Sequence, residues 1–287
     1  MSRLRAFGLA PALAGALLAA GCQNQGERPP PPTCVGNCGG PANISVGFPT
    51  TPGGGGESGE EPEQGGASNG ETVTLEGNVQ LLFDNGRFDS GEVLTDAASI
   101  KSTRADGRTA TDTWNGMDAF EIDELPADTT SWLLVTPQTA GADAAATLEP
   151  VLTQHANAQG VVNADLGVVR ESNIDTVFDL LSVPVQRDSR AAQVVLRLTS
   201  RSAGSGLTPL AGVTVQSSSA ESISYATGGG YSDVATATDA TGVAVLLNCP
   251  AGGWPGALVN IEFTGAKTGG TQVRAVTGAV SLVTIAL

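Results

Sequence analysis

Four cysteines, one histidine and a run of carboxylates are the residues of this 287-residue chain whose types suit chemistry. Cys22 directly follows Leu18-Ala19-Ala20-Gly21. Small side chains there let a peptidase reach the backbone, and the thiol behind them is a nucleophile that can be acylated. Cys34 and Cys38 are separated by Val-Gly-Asn, which suits a small-loop disulfide in an oxidising compartment. A metal reading of this pair is weak, because His155 is the sole histidine and no second cysteine pair exists. His155 itself sits in a polar Gln-His-Ala-Asn run and reads as a lone surface residue. The acidic cluster Asp118, Glu121, Asp123, Glu124 and Asp128 has the hard oxygen ligands that Ca²⁺ takes, but its spacing matches no calcium loop. A solvated strand face is favoured, whose outward carboxylates also keep exposed strands from pairing with neighbours. Trp114, Trp254 and Tyr231 fall in turn regions where rings can stack on sugars, but aromatics are only 4% of the chain, which favours reading them as loop anchors packed on the sandwich edge.

No G-x-S-x-G elbow, H-E-x-x-H helix or P-loop occurs, so the sequence reads as non-enzymatic and implies no catalytic residue, cofactor or metal. Two motif matches are decoys. Gly54, Gly56 and Gly59 fit a dinucleotide fingerprint, but no strand precedes them and no helix follows. Asn43-Ile44-Ser45 fits a glycosylation acceptor, a match that carries weight only in a secreted eukaryotic protein. The net charge of −15 becomes −17 once residues 1–21, with Arg3 and Arg5 and no acid, are removed. Such a surface repels nucleic acid and anionic headgroups.

The first 21 residues read as a secretory signal: Arg3 and Arg5, an apolar run from Ala6 to Leu18, then the small residues before Cys22. The run is broken by Pro11 and falls short of the ~20 apolar residues of a membrane span. The residues before Cys22 resemble the lipobox of bacterial lipoproteins, with Ala19 where that motif prefers Leu, Val or Ile. The resemblance implies cleavage at Gly21–Cys22 and acylation of Cys22 with diacylglycerol and palmitate. Two or three chains, at about 0.8 kcal/mol per buried methylene, hold a protein on a membrane where one does not. By the same family's sorting rule, Gln23 after the cysteine implies the outer membrane of a Gram-negative host, with the periplasmic or surface face left open. Residues 22–71 then form a disordered tether. Positions 23–70 hold 8 Pro and 13 Gly, too little apolar surface to offset ordering entropy. A flexible chain of that length spans ~35–40 Å.

From Thr72 the chain alternates short β-favouring runs with turn residues, the pattern of sandwiches rather than βαβ units. Expected strands in the first half are Val73–Leu82, Phe120–Glu124, Trp132–Val135, Leu148–Leu152 and Asp165–Val169. Those in the second half are Val194–Thr199, Val213–Ser217, Val243–Leu247, Leu258–Phe263, Val273–Thr277 and Val280–Ile285. Asp84-Asn85-Gly86 is a strong turn signal. Thr109-Ala110-Thr111-Asp112 recurs as Thr236-Ala237-Thr238-Asp239, each followed by a glycine (Gly116, Gly242) and then a strand ending in Leu125-Pro126-Ala127 or Cys249-Pro250-Ala251. Two ordered motifs at nearly one spacing indicate two copies of one domain. By that alignment Ala244 and Leu246 share the core face of Phe120 and Ile122, and Cys249 is a buried hydrophobe in the place of Leu125. Between the copies, Ser172 and Asp175 form a capping-box pattern before Ile174, Val177, Phe178 and Leu181, which predicts a connector helix packed on one sandwich and ended by Pro184.

The second copy, with Pro209-Leu210-Ala211-Gly212-Val213-Thr214-Val215, Thr238-Asp239-Ala240-Thr241-Gly242 and Pro250-Ala251-Gly252, resembles the carboxypeptidase regulatory-like domain, a transthyretin-like sandwich. The first copy keeps only the part from Thr111 to Ala127, and Gly242 lacks the aromatic residue that usually follows. The resemblance implies a fold and no particular ligand. The expected organisation is a signal (1–21), a tether (22–71), a first sandwich (72–170), a connector helix (171–190) and a second sandwich (191–287). The all-β pair, immunoglobulin-like or transthyretin-like, would be held at the membrane through Cys22. It would present a surface to a protein partner or, alternatively, to a glycan or an envelope complex.

Overall fold

The structure is a computed structural model and describes residues 71–153, 159–202 and 206–287. Cys22, Cys34, Cys38, His155, the signal and nearly all of the tether lie outside the described residues. The described part is nearly all β, with several sheets, one helix and no closed barrel.

In the first half the strands are β1 (Thr72–Gly77), β2 (Val79–Leu82), β3 (Gly91–Val93), β4 (Ala98–Thr103), β5 (Thr109–Trp114), β6 (Phe120–Pro126), β7 (Thr130–Pro137), β8 (Thr147–Leu152), β9 (Val161–Asn163) and β10 (Leu166–Val168). The helix α1 (Glu171–Asp179) follows. The second half holds β11 (Ala192–Ser202), β12 (Gly206–Pro209), β13 (Val213–Gln216), β14 (Ser222–Thr227), β15 (Gly230–Ser232), β16 (Val243–Cys249), β17 (Ala257–Gly265), β18 (Gly269–Ala275) and β19 (Val280–Ala286).

The duplication is visible in the pairing registers. Thr74 lies opposite Val161 and Leu75 opposite Val162, in parallel; displaced by 119 residues, Gln193 lies opposite Val280 and Val194 opposite Ser281, again in parallel. Further along, Val79 opposite Leu166 becomes Leu198 opposite Ile285. The antiparallel pair Gln80–Val93 becomes Thr199–Pro209. On the facing sheet, Ile100–Val135 becomes Val215–Phe263. The β1–β6 ladder even repeats its bulge: Val73 and Leu75 face Leu125 and Ile122, as Ala192 and Val194 face Cys249 and Leu246. The bulge needs a left-handed residue on the opposite strand, and both copies have one, Glu124 at φ 61° and Asn248 at φ 50°. Phe120, Ile122, Leu125, Ala244, Leu246 and Cys249 are all buried, as the alternation predicts.

The copies differ in three places. The expected strand Val73–Leu82 is divided into β1 and β2 at Asn78, beside the point where Gly77 passes so close to Ala164 that an added Cβ would sit 1.9 Å from its carbonyl oxygen. The Asp165 carboxylate bridges the break, accepting bonds from the Asn78 amide and side chain and from Gln80. Secondly, the repeated tetrapeptide is a full strand in one copy and is held in the other by two backbone bonds to the β13 side, from the Thr238 amide to the Val213 carbonyl at 2.9 Å and from the Gly212 amide to the Thr238 carbonyl at 2.8 Å. Thr109–Asp112 lies in β5, which pairs with β4, whereas Thr236–Asp239 belongs to no strand. The longer stretch 217–242 supplies instead a hairpin, β14–β15, paired with β16. Thirdly, Asp84-Asn85-Gly86 belongs to an eight-residue loop, 83–90, between β2 and β3, where only three residues separate β11 from β12.

The helix also corrects the sequence reading. Ser172 is inside α1 rather than its cap; Arg170 takes the cap position and offers no side-chain bond. The first-turn amide of Ser172 is satisfied instead by Asp143, from the β7–β8 connection, at 2.8 Å, with the Ser172 hydroxyl donating to the same carboxylate at 2.7 Å. Ile174, Val177 and Leu181 are buried as expected, but in a cluster drawn from both copies, with Leu82 and Phe88 on one side and Val195, Tyr231, Val243 and Leu282 on the other. The helix therefore packs over a shared seam and not on a single sandwich.

The glycine after each tetrapeptide is a backbone requirement. Gly116 and Gly242 have φ of 86° and 71°, and a Cβ on either would meet a carbonyl oxygen at 2.4 Å. Gly242→Ala should lower stability by about 3 kcal/mol in urea unfolding, the sum of left-handed strain and the contact with Leu198. Gly107→Ala, with φ of 82° and nothing within 4 Å, should cost only about 1 kcal/mol.

Candidate functional site

The chemistry-bearing residues singled out above do not converge. Trp114 is fully buried at the end of β5, its indole N–H donating to the Leu94 carbonyl at 2.7 Å. Tyr231 is buried in β15 and donates to Asp84 at 2.8 Å. Trp254 is half-buried against the cluster of Leu134, Leu148, Val276 and Ala279. The three rings anchor the fold, as favoured above, and the buried Trp114 and Tyr231 offer no face on which a sugar can stack. In the acidic cluster, Asp123 accepts from Thr74, Asp118 from Asn115, and Glu124 pairs with Arg104 at 2.8 Å. Among the described residues, no three Asp, Glu, His or Cys side chains gather as a metal site. Burial pushes the Cys249 thiol up to about 12, which keeps it protonated and inert.

What the structure does bring together lies at the junction of the copies. β19 pairs on one side with β11 and on the other, in parallel, with β8 of the first copy: Val280 lies opposite Thr147 and Ser281 opposite Leu148. One sheet thereby runs from β15 through β14, β16, β11, β19, β8, β7 and β4 to β5. The loop 83–90 reaches across this seam. The Asn85 side chain accepts from the amides of Arg87 and Phe88 at 2.9 Å, which shapes the loop and drives Phe88, fully buried at φ 51°, into the shared core.

Beside Phe88 sits a charge pair formed across the seam. Arg197 of β11 donates from Nη1 to the Phe88 carbonyl at 2.8 Å, and its Nη2 stands 3.5 Å from Oε1 of Glu149 on β8. The other carboxylate oxygen accepts from the Gly167 amide at 2.7 Å. Glu149 is 2% exposed and Arg197 is 7% exposed. Burial pushes the Glu149 carboxyl up to about 7, against the opposing pull of Arg197 and the Gly167 amide. Burial works against the Arg197 charge as well, with Glu149 and Asp89 opposing it, and a guanidinium stays protonated.

Arg197 forms part of the wall of a cavity of about 220 Å³. Arg87 and Asp89 of the loop, themselves paired at 2.8 Å, line it with Thr199, Leu207, Pro209, Thr241 and Thr284. Two wider depressions, of about 320 and 310 Å³, lie beside α1 and on the β13–β17 face. Of these three, the seam cavity alone carries a buried ion-paired side chain among the described residues. The sequence held a signal for this site that went unread: Arg197 is the one charge in the apolar run Val194–Leu198, and Glu149 interrupts the expected strand Leu148–Leu152.

No family model and no curated protein matches the chain. Solved structures similar to it include the Bacillus anthracis TIE protein, at 12% identity over 75% of this chain and 33% of that one, with a TM-score of 0.23. A fimbrial protein from Bacteroides ovatus is similar at 13% identity over 75% and 50%, with a TM-score of 0.22. The major pilin from Streptococcus pyogenes is similar at 11% identity over 75% and 98%, with a TM-score of 0.20. The chain thus spans a third and a half of the first two, and TM-scores this low do not establish a shared architecture.

The buried carboxyl makes stability depend on pH in a defined direction. Folding raises Glu149 from 4.5 to about 7, so its contribution is complete below pH 4.5 and is lost as pH rises through about 7. Asp143 works the other way: burial opposes its charge, but the Ser172 bonds and Arg170 outweigh it, so its contribution fades only as pH falls below the usual carboxylate range. Urea unfolding should therefore show stability falling by on the order of 3 kcal/mol between about pH 4.5 and pH 8, at about 1.4 kcal/mol per pKa unit. Glu149→Gln, which mimics the neutral carboxyl, should flatten the curve in that window.

Proposed function

We propose that this chain is a non-enzymatic, lipid-anchored protein of the cell envelope. Its two β-sandwich modules, of carboxypeptidase regulatory-like type, are presented on a tether for protein binding or adhesion. The acylated Cys22 is the anchor, the outer membrane its site, and residues 22–71 the spacer. The β8–β19 pairing carries the reading: it supports a single stiff body at the end of the tether in place of two independently moving modules. Adhesive display under load favours such a body, because a pull on one module is transmitted through backbone hydrogen bonds and a buried core. The rings that would have suited a sugar platform, Trp114 and Tyr231, are committed to the interior, which favours a protein partner over a glycan.

Deletion of the gene, with complementation, tests both halves. The native chain should fractionate with membranes and restore attachment of cells to a surface or to each other. Cys22→Ala should appear in the soluble fraction and fail to restore attachment. Membrane retention of Cys22→Ala would overturn the anchor, and attachment indifferent to the deletion would overturn adhesion.

A further inference from the structure

The internal repeat identifies a carboxylate that the second copy lacks. In the first copy, Asp165 lies beside Asn78, and its carboxylate accepts from the Asn78 amide and side chain at 3.0 and 3.1 Å and from Gln80 Nε2 at 3.0 Å. The displacement of 119 residues carries Asn78 to Arg197, Gln80 to Thr199 and Asp165 to Thr284, and Arg197 does lie opposite Thr284. All three second-copy residues line the seam cavity. Thr284 has no carboxylate, and the consequence is visible: its hydroxyl, on a side chain of a residue 4% exposed, has no hydrogen-bond partner, and neither has Arg197 Nε. Buried polar atoms are nearly always satisfied in folded proteins, so two orphans on residues that line one cavity are a signal, and since both atoms lie beneath its water-accessible wall, a ligand reaches them by a turn of the Arg197 or Thr284 side chain.

We infer that the seam cavity binds a small carboxylate anion, which takes the place that the Asp165 carboxylate holds in the first copy and is held by Arg197, Arg87 and Thr284. The charge balance favours one negative charge. The charged groups around Arg197 are Glu149 from β8 and Arg87 and Asp89 from the loop 83–90, with Asp239 close by and held by Thr241. The lining itself, with Arg197, Arg87 and Asp89, carries a single excess positive charge, which Asp239 behind Thr241 and, when ionised, Glu149 behind Arg197 offset. A dianion would meet Asp89 and Glu149 at close range, whereas a monoanion gains charge-assisted bonds in a partly desolvated site. Leu207 and Pro209 give the carbon skeleton an apolar wall, and about 220 Å³ holds an organic acid of sugar size and not a polymer. Binding is therefore coupled to proton uptake at Glu149. This site goes beyond the adhesive reading and does not depend on it.

Calorimetric titration and thermal denaturation of the full chain in detergent, with acetate and glucuronate against neutral glucose at fixed chloride, test the inference. Carboxylates should raise the unfolding midpoint and bind about tenfold tighter near pH 5.5 than near pH 8, and glucose should do neither. Thr284→Asp supplies the carboxylate within the chain and should abolish the response. Leu207→Phe fills the cavity from the half-buried edge strand β12 without altering a charge, and should weaken binding at least about tenfold. The inference is overturned if no carboxylate shifts the native midpoint at either pH, if glucose acts equally, or if Leu207→Phe binds as the native chain does.

Discussion

The described structure depends on one short stretch of backbone pairing, β8 against β19. Only Val280–Thr147 and Ser281–Leu148 are in register, with a further bond from the Val280 amide to the Ala146 carbonyl at 2.8 Å. Without it, β19 would end the second copy as an exposed edge, a row of unpaired donors and acceptors that invites association with other chains. With it, the two copies share a sheet, and the clusters around Phe88, Val195 and Leu282 and around Leu148 and Val276 become interior. The helix follows from the same fact: the apolar face of α1 has a surface to cover only because both copies contribute to it.

The fold class was legible because its signals are local. Period-two alternation located Phe120–Glu124, a continuous apolar run buried on both faces located Val243–Leu247, and the left-handed glycines Gly116 and Gly242 marked the turns before them. The repeat was legible for the same reason, although the part of it that looked strongest was misleading. Thr109–Asp112 and Thr236–Asp239 lie along counterpart strands, β4 and β13, but only the first builds a ladder there, and the longer second copy adds the β14–β15 hairpin to the other sheet. The pairing registers, invisible in the sequence, carry the duplication far more completely than the tetrapeptide does.

What the sequence did not disclose is where the copies meet. Asp143 caps α1 from a loop about 30 residues away, and no pattern of local spacing encodes such a partner. The loop 83–90 read as a turn because Asn85-Gly86 is a turn; its length, and so its reach, was unread. Arg197 and Glu149 each violate the apolar pattern of their strands, and such violations mark functional or strained positions more often than they mark errors of reading.

A buried ion pair at 3.5 Å is a poor source of stability, since removing two charges from water costs several kcal/mol per ion. A better account of Arg197 and Glu149 starts from the brevity of the β8–β19 ladder. Two residue pairs fix a register weakly, and a slip by one would turn Thr147 and Leu148 to the wrong faces. Arg197 reaches simultaneously to Glu149 on β8 and to the carbonyl of Phe88 on the loop, so a slipped seam would leave a charge buried and unpaired. The pair thus acts chiefly against the wrong alignment rather than for the right one. The same geometry accounts for the divergence of the copies at this register: Asn78 and Asp165 close their position within one copy, whereas Arg197 and Thr284 turn it outward to the neighbour and leave room beside it.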